Sequence, residues 1–246
     1  YLIPDIKIGS LWTVLGAEVD LGFVLVGILG TMLVTWSNYV GIRTASLVQT
    51  IVTLLIILSG LLLISGAALS GNTSNVQHFS EPALGGVLIV LIMVPGMLVG
   101  FDVIPQSAEE INLAPKKIGI LLIVSVICAV TWYVAISGAV GLAIPYREVG
   151  DSNMATADAA SNLWNSKWAG TLLVIGGIGG ILTSWNAFIV GASRVIFALS
   201  ESGHLPSVFS RIHTKYQTPY VAILAIGLLS CIAPLFGRTI LVWLIN

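Results

Sequence analysis

Charge is what this sequence has least of. Only 9% of its 246 residues are charged, where a soluble domain carries about a quarter, and that shortage excludes a water-soluble fold. Ten Lys and Arg against eleven Asp and Glu leave a net charge of -1, with no run of like sign. A phosphate backbone finds no basic surface here, which excludes a nucleic-acid partner. Histidine is scarce as well, and His78, His204 and His213 all fall in polar connecting segments. There is no His-Glu-x-x-His and no Gly-x-Ser-x-Gly, so the chain is expected to be no enzyme and to carry no metal or cofactor. The two cysteines, Cys128 and Cys231, sit inside apolar stretches. Each is expected to pack there as a small hydrophobe rather than to join a disulfide or a metal site.

What is abundant is apolar surface: 57% of residues are hydrophobic and the mean hydropathy is +1.01. An α-helix needs about 20 apolar residues to cross a bilayer core of about 30 Å. Residues 21–42, 44–69, 84–112 (broken near 95–100), 118–144, 168–199 and 216–236 supply such spans, and 239–246 begins a seventh. These assignments make residues 1–246 a single all-α transmembrane domain. The first two spans are separated only by Arg43 in a polar hinge and are expected to form an antiparallel hairpin. Turn formers Ser70-Gly71-Asn72 and Glu81-Pro82 precede the third, and Pro145 stops the fourth. In the polar segment that follows, 154–163 is expected to be a short surface helix. The chain opens on Tyr1 and closes in apolar residues 240–245, and is expected to be a fragment.

Lys and Arg set the orientation. Arg43, Lys116, Lys117, Arg194, Arg211 and Lys215 fall on one side, against Lys7, Arg147, Lys167 and Arg238 on the other. The first side is expected to be cytoplasmic, in a plasma (inner) membrane.

The third span is disfavoured as one continuous helix. Pro95 lacks an amide hydrogen and clashes with the preceding turn, while Gly96 and Gly100 offer no side chain to resist unwinding. Two readings stand. A break would release carbonyls just before Gly96 for an ammonium or cation, and would aim amides near Phe101 at an anion. Alternatively, the span holds a proline kink with a close helix contact at Gly96 and Gly100. Asp102 beside the break either caps a second half-helix or holds a proton, a cation or a gating partner. Glu109 and Glu110 follow; a solvated helix end paired with Lys116 and Lys117 is their plainer reading.

Three motifs in order resemble one family. Gly100-Phe101-Asp102, Ala108-Glu109-Glu110-Ile111-Asn112 and Pro115-Lys116-Lys117 resemble the stretch after the sixth helix of the amino acid, polyamine and organocation (APC) transporter superfamily. Asn38-Tyr39-Val40-Gly41-Ile42-Arg43-Thr44 with Val48-Gln49 is similar to its link from helix four to five. Ser193-Arg194-Val195-Ile196-Phe197-Ala198-Leu199, with Ser202-Gly203-His204-Leu205-Pro206 and Thr218-Pro219, resembles its link from eight to nine. The resemblance implies a leucine-transporter-like core of two inverted five-helix repeats, here truncated to helices four through nine and the start of ten. It implies that the third span receives a substrate's ammonium group, with Pro95, Gly96, Met97, Val99, Gly100, Phe101 and Asp102 lining the pocket. It also implies that half of that pocket belongs to a first helix outside this sequence. Glu109, Glu110 and Arg194 become members of a cytoplasmic motif.

In the fifth span, the run Gly176-Gly177-Ile178-Gly179-Gly180 permits close helix approach. Thr183 and Ser184 are hydroxyl donors of the kind that hold a sodium ion, or they bond back to carbonyls one turn earlier. The resemblance places Ser184 near the family's cation position and Phe188 where an aromatic closes over substrate in some members; packing is the alternative for Phe188. Two departures stand out. Ile56 occupies the position of a lysine found in some proton-coupled members, and Gly96 that of a bulky aromatic gate. The implied function is a permease that moves an amino acid or related amine through the bilayer by alternating access, coupled to sodium or a proton. The alternative is a non-transporting sensor or interaction subunit on the same fold, because fold alone does not decide function.

Overall fold

The computed structural model describes residues 9–14, 16–80, 84–98, 100, 103–106, 114–152 and 154–237. Among these the chain runs β1 (Ser10–Val14), β2 (Ala17–Asp20), α1 (Leu21–Val40), α2 (Ile42–Ser70), α3 (Leu84–Met97) and α4 (Val103–Gln106). It continues through α5 (Pro115–Ala143), α6 (Tyr146–Val149), α7 (Ala155–Leu163), α8 (Lys167–Glu201) and α9 (Tyr220–Ser230). Short 3₁₀ segments cover Thr73–Ser80, Ser207–Ser210 and Ala233–Phe236. Among the described residues, four stretches are long and apolar enough to cross a membrane: Leu21–Val40, Ser46–Ser70, Lys116–Ala143 and Lys167–Glu201. Gly85–Val94 and Tyr220–Phe236 are apolar but shorter. Side chains such as Ile92 and Leu69, exposed at 79% and 77%, suit lipid rather than water.

The helix ends follow from local chemistry. Asp20 caps α1, its carboxylate accepting the Gly22 amide at 2.7 Å. Gly41, at φ 135°, ends α1 and separates it from α2, so the expected polar hinge narrows to a single residue able to adopt that backbone. Pro115 opens α5, where a missing amide hydrogen costs nothing. Beside the helices of the expected all-α fold stands one short N-terminal hairpin. β1 and β2 pair antiparallel around Gly16 at φ 81°, and the Trp12 indole donates to the Leu235 carbonyl at 3.0 Å.

The described residues form two compact units, one of 51–100 and 114–181, the other of 9–50, 103–106 and 182–237. In the first, Leu63 and Ala67 of α2, Ala139 and Val140 of α5, and Ala159, Ala160 and Leu163 of α7 share one core. The 154–163 segment forms the expected short helix, α7, which buries its alanine face on α5 while Thr156 and Asn162 stay exposed. Trp164 follows it and donates to the Leu62 carbonyl at 3.1 Å. Glycines admit the large rings, Gly60 against Trp132 and Gly66 against Trp164. The glycine run of α8 does the same for α2, with Gly176 on Ser59, Gly179 on Val52 and Gly180 on Ile56. Cys128, expected to pack, is exposed on α5.

In the second unit, Val34 of α1, Ile189 of α8 and Ile223 of α9 form the core. Gly27 sits against Pro234, Gly30 against Trp185, and Gly227 against Thr35. The Thr218 hydroxyl donates to the Tyr39 carbonyl at 3.0 Å, fastening the start of α9 to the end of α1.

Candidate functional site

The third span stops where backbone chemistry requires it to. α3 ends at Met97, and three residues on Gly100 takes φ 113°, a conformation that side-chain-bearing L-residues avoid. The helix ends within the expected 95–100 stretch, but after Met97 rather than just before Gly96. Pro95 and Gly96 are still helical, and the Val94 carbonyl is satisfied by the Leu98 amide at 3.1 Å. The physical reason is that a proline disrupts the turn before itself, by withholding an amide from the Leu91 carbonyl, while its fixed φ is compatible with helix beyond. The carbonyls at the end of the helix are thus those from Pro95 onward, carrying the partial negative charge of a helix C-terminus. A carbon added at Gly96 or at Gly100 would meet nothing within 4 Å among the described residues.

Val99, Phe101, Asp102, Glu109 and Glu110 lie outside the described residues, as do the side chains of Pro95 and Met97. α4 resumes the helix for the four residues Val103–Gln106.

The other candidates lie on α8 within the second unit. Thr183 is half-buried and Ser184 exposed; Phe188, one turn beyond Ser184, is 45% exposed. Ser184 and Phe188 therefore share a face. Adjacent helical positions diverge by about 100°, so a cation held by both Thr183 and Ser184 would need further oxygens to complete its shell. Arg194 donates through Nη1 to the Val190 carbonyl at 3.1 Å, one turn back on its own helix.

The opposite face of α8 holds a feature that the motifs alone do not announce. Asn186, 9% exposed, accepts at Oδ1 from Asn38 Nδ2 at 2.7 Å and donates through Nδ2 to Gln49 Oε1 at 2.8 Å. Asn38, itself 4% exposed, also donates to the Val34 carbonyl at 2.9 Å. One chain of amides thus ties α1, α8 and the start of α2 together two residues from Ser184. Asn38 and Gln49 belong to the Asn38–Thr44 and Val48-Gln49 motifs, and a lone amide inside an apolar span is the available signal for Asn186. Asn186→Ala should remove both interhelical bonds and destabilise the protein by roughly 1–2 kcal/mol. Reversible unfolding in mixed micelles measures this, and an unchanged midpoint would show that the amides exchange partners freely.

Residues 9–243 match the family described as "Amino acid permease". The chain is similar to the branched-chain amino acid permease BcaP of Bacillus subtilis (strain 168), at 29% identity over 201 residues, 82% of this chain and 43% of that protein. It is similar to cationic amino acid transporter 4 of Mus musculus, at 28% over 206 residues, 84% of this chain and 31% of the relative. Cationic amino acid transporter 9, chloroplastic, of Arabidopsis thaliana is 28% identical over 218 residues, 86% of this chain and 38% of its own length. The chain spans less than half the length of each of these relatives.

Proposed function

The chain belongs to the amino acid permease family, and from that premise we propose that the protein is a secondary transporter carrying an amino acid or related amine across the membrane by alternating access. Family membership and the apolar helices make it an integral, multi-pass membrane protein; the plasma membrane is its proposed location. Membership of a permease family also argues for transport rather than catalysis. The observation that carries the reading is the interruption of an apolar span after Met97, with Gly100 at φ 113°. Backbone of this kind is tolerated at membrane depth where it lines a cavity or is buried in protein. The end of α3 offers carbonyls to a substrate ammonium group, and the residues from Pro95 to Asp102 form that side of the pocket.

In this reading Phe188 covers the substrate, and Thr183 and Ser184 contribute oxygens to a sodium site. A proton is the other candidate for coupling. The fold is the inverted pair of five-helix repeats, with the first helix supplying the remaining half of the pocket.

Counterflow in proteoliposomes of the full-length protein tests this reading. Saturable exchange of an amino acid or amine is expected, and its dependence on sodium is expected to disappear in Thr183→Val combined with Ser184→Ala. Measurable binding without saturable uptake would instead make the protein a sensor or interaction subunit, and sodium dependence that survives the double variant would move coupling elsewhere.

A further inference from the structure

The second unit carries a groove of about 760 Å³ between α1 and α9. Met32, Thr35, Trp36 and Tyr39 line it from α1, at the i, i+3, i+4, i+7 spacing that presents one helix face. α9 contributes the same spacing from Leu224 to Cys231. Thr35 packs against Gly227 and forms the floor; it is 8% exposed, and its hydroxyl has no hydrogen-bond partner among the described residues.

The groove is polar at one end only. Met32, Leu224 and Leu228 leave its length apolar and open, with exposures of 57%, 48% and 74%. At the end of α1, Trp36 stacks on Tyr39 at 5.7 Å, and Tyr39 meets Tyr216 edge-on at the same distance. Lys215 closes that end, its ammonium 5.3 Å from the centre of the Tyr216 ring. The turn that presents it is held by His213, whose Nδ1 accepts the backbone amides of Lys215 at 3.1 Å and Tyr216 at 3.3 Å. Among the described lining residues there is no carboxylate to neutralise Lys215. From Met32 to Tyr39 the groove runs about 10 Å along the helix.

An apolar channel, then amphipathic rings, then a cation is the polarity order of a phospholipid turned inside out. Rings such as Trp36 and Tyr39 settle at headgroup depth, and a lysine at that depth favours an anionic headgroup. We propose that this groove is a binding site for an anionic phospholipid, with an acyl chain along Met32 and Leu228 and the phosphate on Lys215. The Lys and Arg distribution puts this end on the cytoplasmic side, the leaflet where anionic lipid is enriched.

Tryptophan quenching in vesicles of the full-length protein decides the matter. Vesicles contain brominated phosphatidylglycerol or, separately, brominated phosphatidylcholine at equal mole fraction, and Trp36→Phe isolates the emission of that residue. Trp36 is expected to sense the anionic lipid about five-fold more strongly than the zwitterionic one. Lys215→Glu should bring the ratio to one, while Lys215→Arg keeps it. Equal quenching by both lipids, or a preference that survives Lys215→Glu, would overturn the site. Failure of either lipid to quench Trp36 would also overturn it, by placing another membrane helix over the groove.

Discussion

Gly100→Leu is expected to reduce uptake by the full-length protein to background, while Gly96→Ala keeps most of it. At neither glycine would an added carbon meet a described residue within 4 Å, so crowding by the described residues does not separate them. Conformation does: Gly96 lies within α3, whereas Gly100 takes φ 113°. A residue with a side chain held there costs about 1–3 kcal/mol, enough to shift the broken conformation about five-fold or more toward alternatives. Leucine adds to this a side chain where a substrate's ammonium group would approach the end of α3. Gly100→Ala separates the two effects, since it carries the strain with little bulk and is expected to give an intermediate loss. Insertion and monodispersity of each variant in detergent must match the unaltered protein for the comparison to hold. Undiminished uptake by Gly100→Leu would show that the break is not the substrate site, whatever else the protein transports.

How much of this was legible beforehand depended on whether the determining physics is local. That the third span would be interrupted follows from Pro95, Gly96 and Gly100, because proline and glycine act on their own turn. The break near 95–100 is legible to within a turn, but the residue at which the helix ends is not: proline penalises the turn before it, and the helix persists to Met97, short of the positive φ at Gly100. The glycine run of α8 was legible as a packing face for the same local reason. Its partner was not, because Ser59, Val52 and Ile56 become neighbours only through tertiary structure. How completely one face of α7 is buried is not legible, since Ala157, Ala159 and Ala160 are too small to register as a hydrophobic stripe, yet are all fully buried. The amide chain through Asn186 is the clearest case. Each of its three members looks like an isolated polar residue until the fold brings them within 2.8 Å of one another in pairs.

Gly179→Leu is expected to destabilise the packing of the first unit, and Val52→Ala is expected to repair it in part. A carbon added at Gly179 would lie 2.5 Å from Cγ1 of Val52, well inside contact distance, and leucine adds three more. Val52 is β-branched and stiff at χ1, so it cannot swing aside as a lysine or methionine would. α2 and α8 must then separate, and overpacking of this kind costs about 1–3 kcal/mol. In a bilayer the loss is not offset by hydrophobic collapse, because lipid tails are as apolar as the side chains and close packing itself holds the helices together. Removing the Val52 branches reopens the space, so Gly179→Leu with Val52→Ala should recover at least half of the lost stability in reversible unfolding. The rescue should be specific. Gly176→Leu, which meets Ser59 rather than Val52, should gain nothing from Val52→Ala, as expected for contacts that do not share a partner. If Gly179→Leu unfolds like the unaltered protein, α2 and α8 do not meet at these glycines in the membrane.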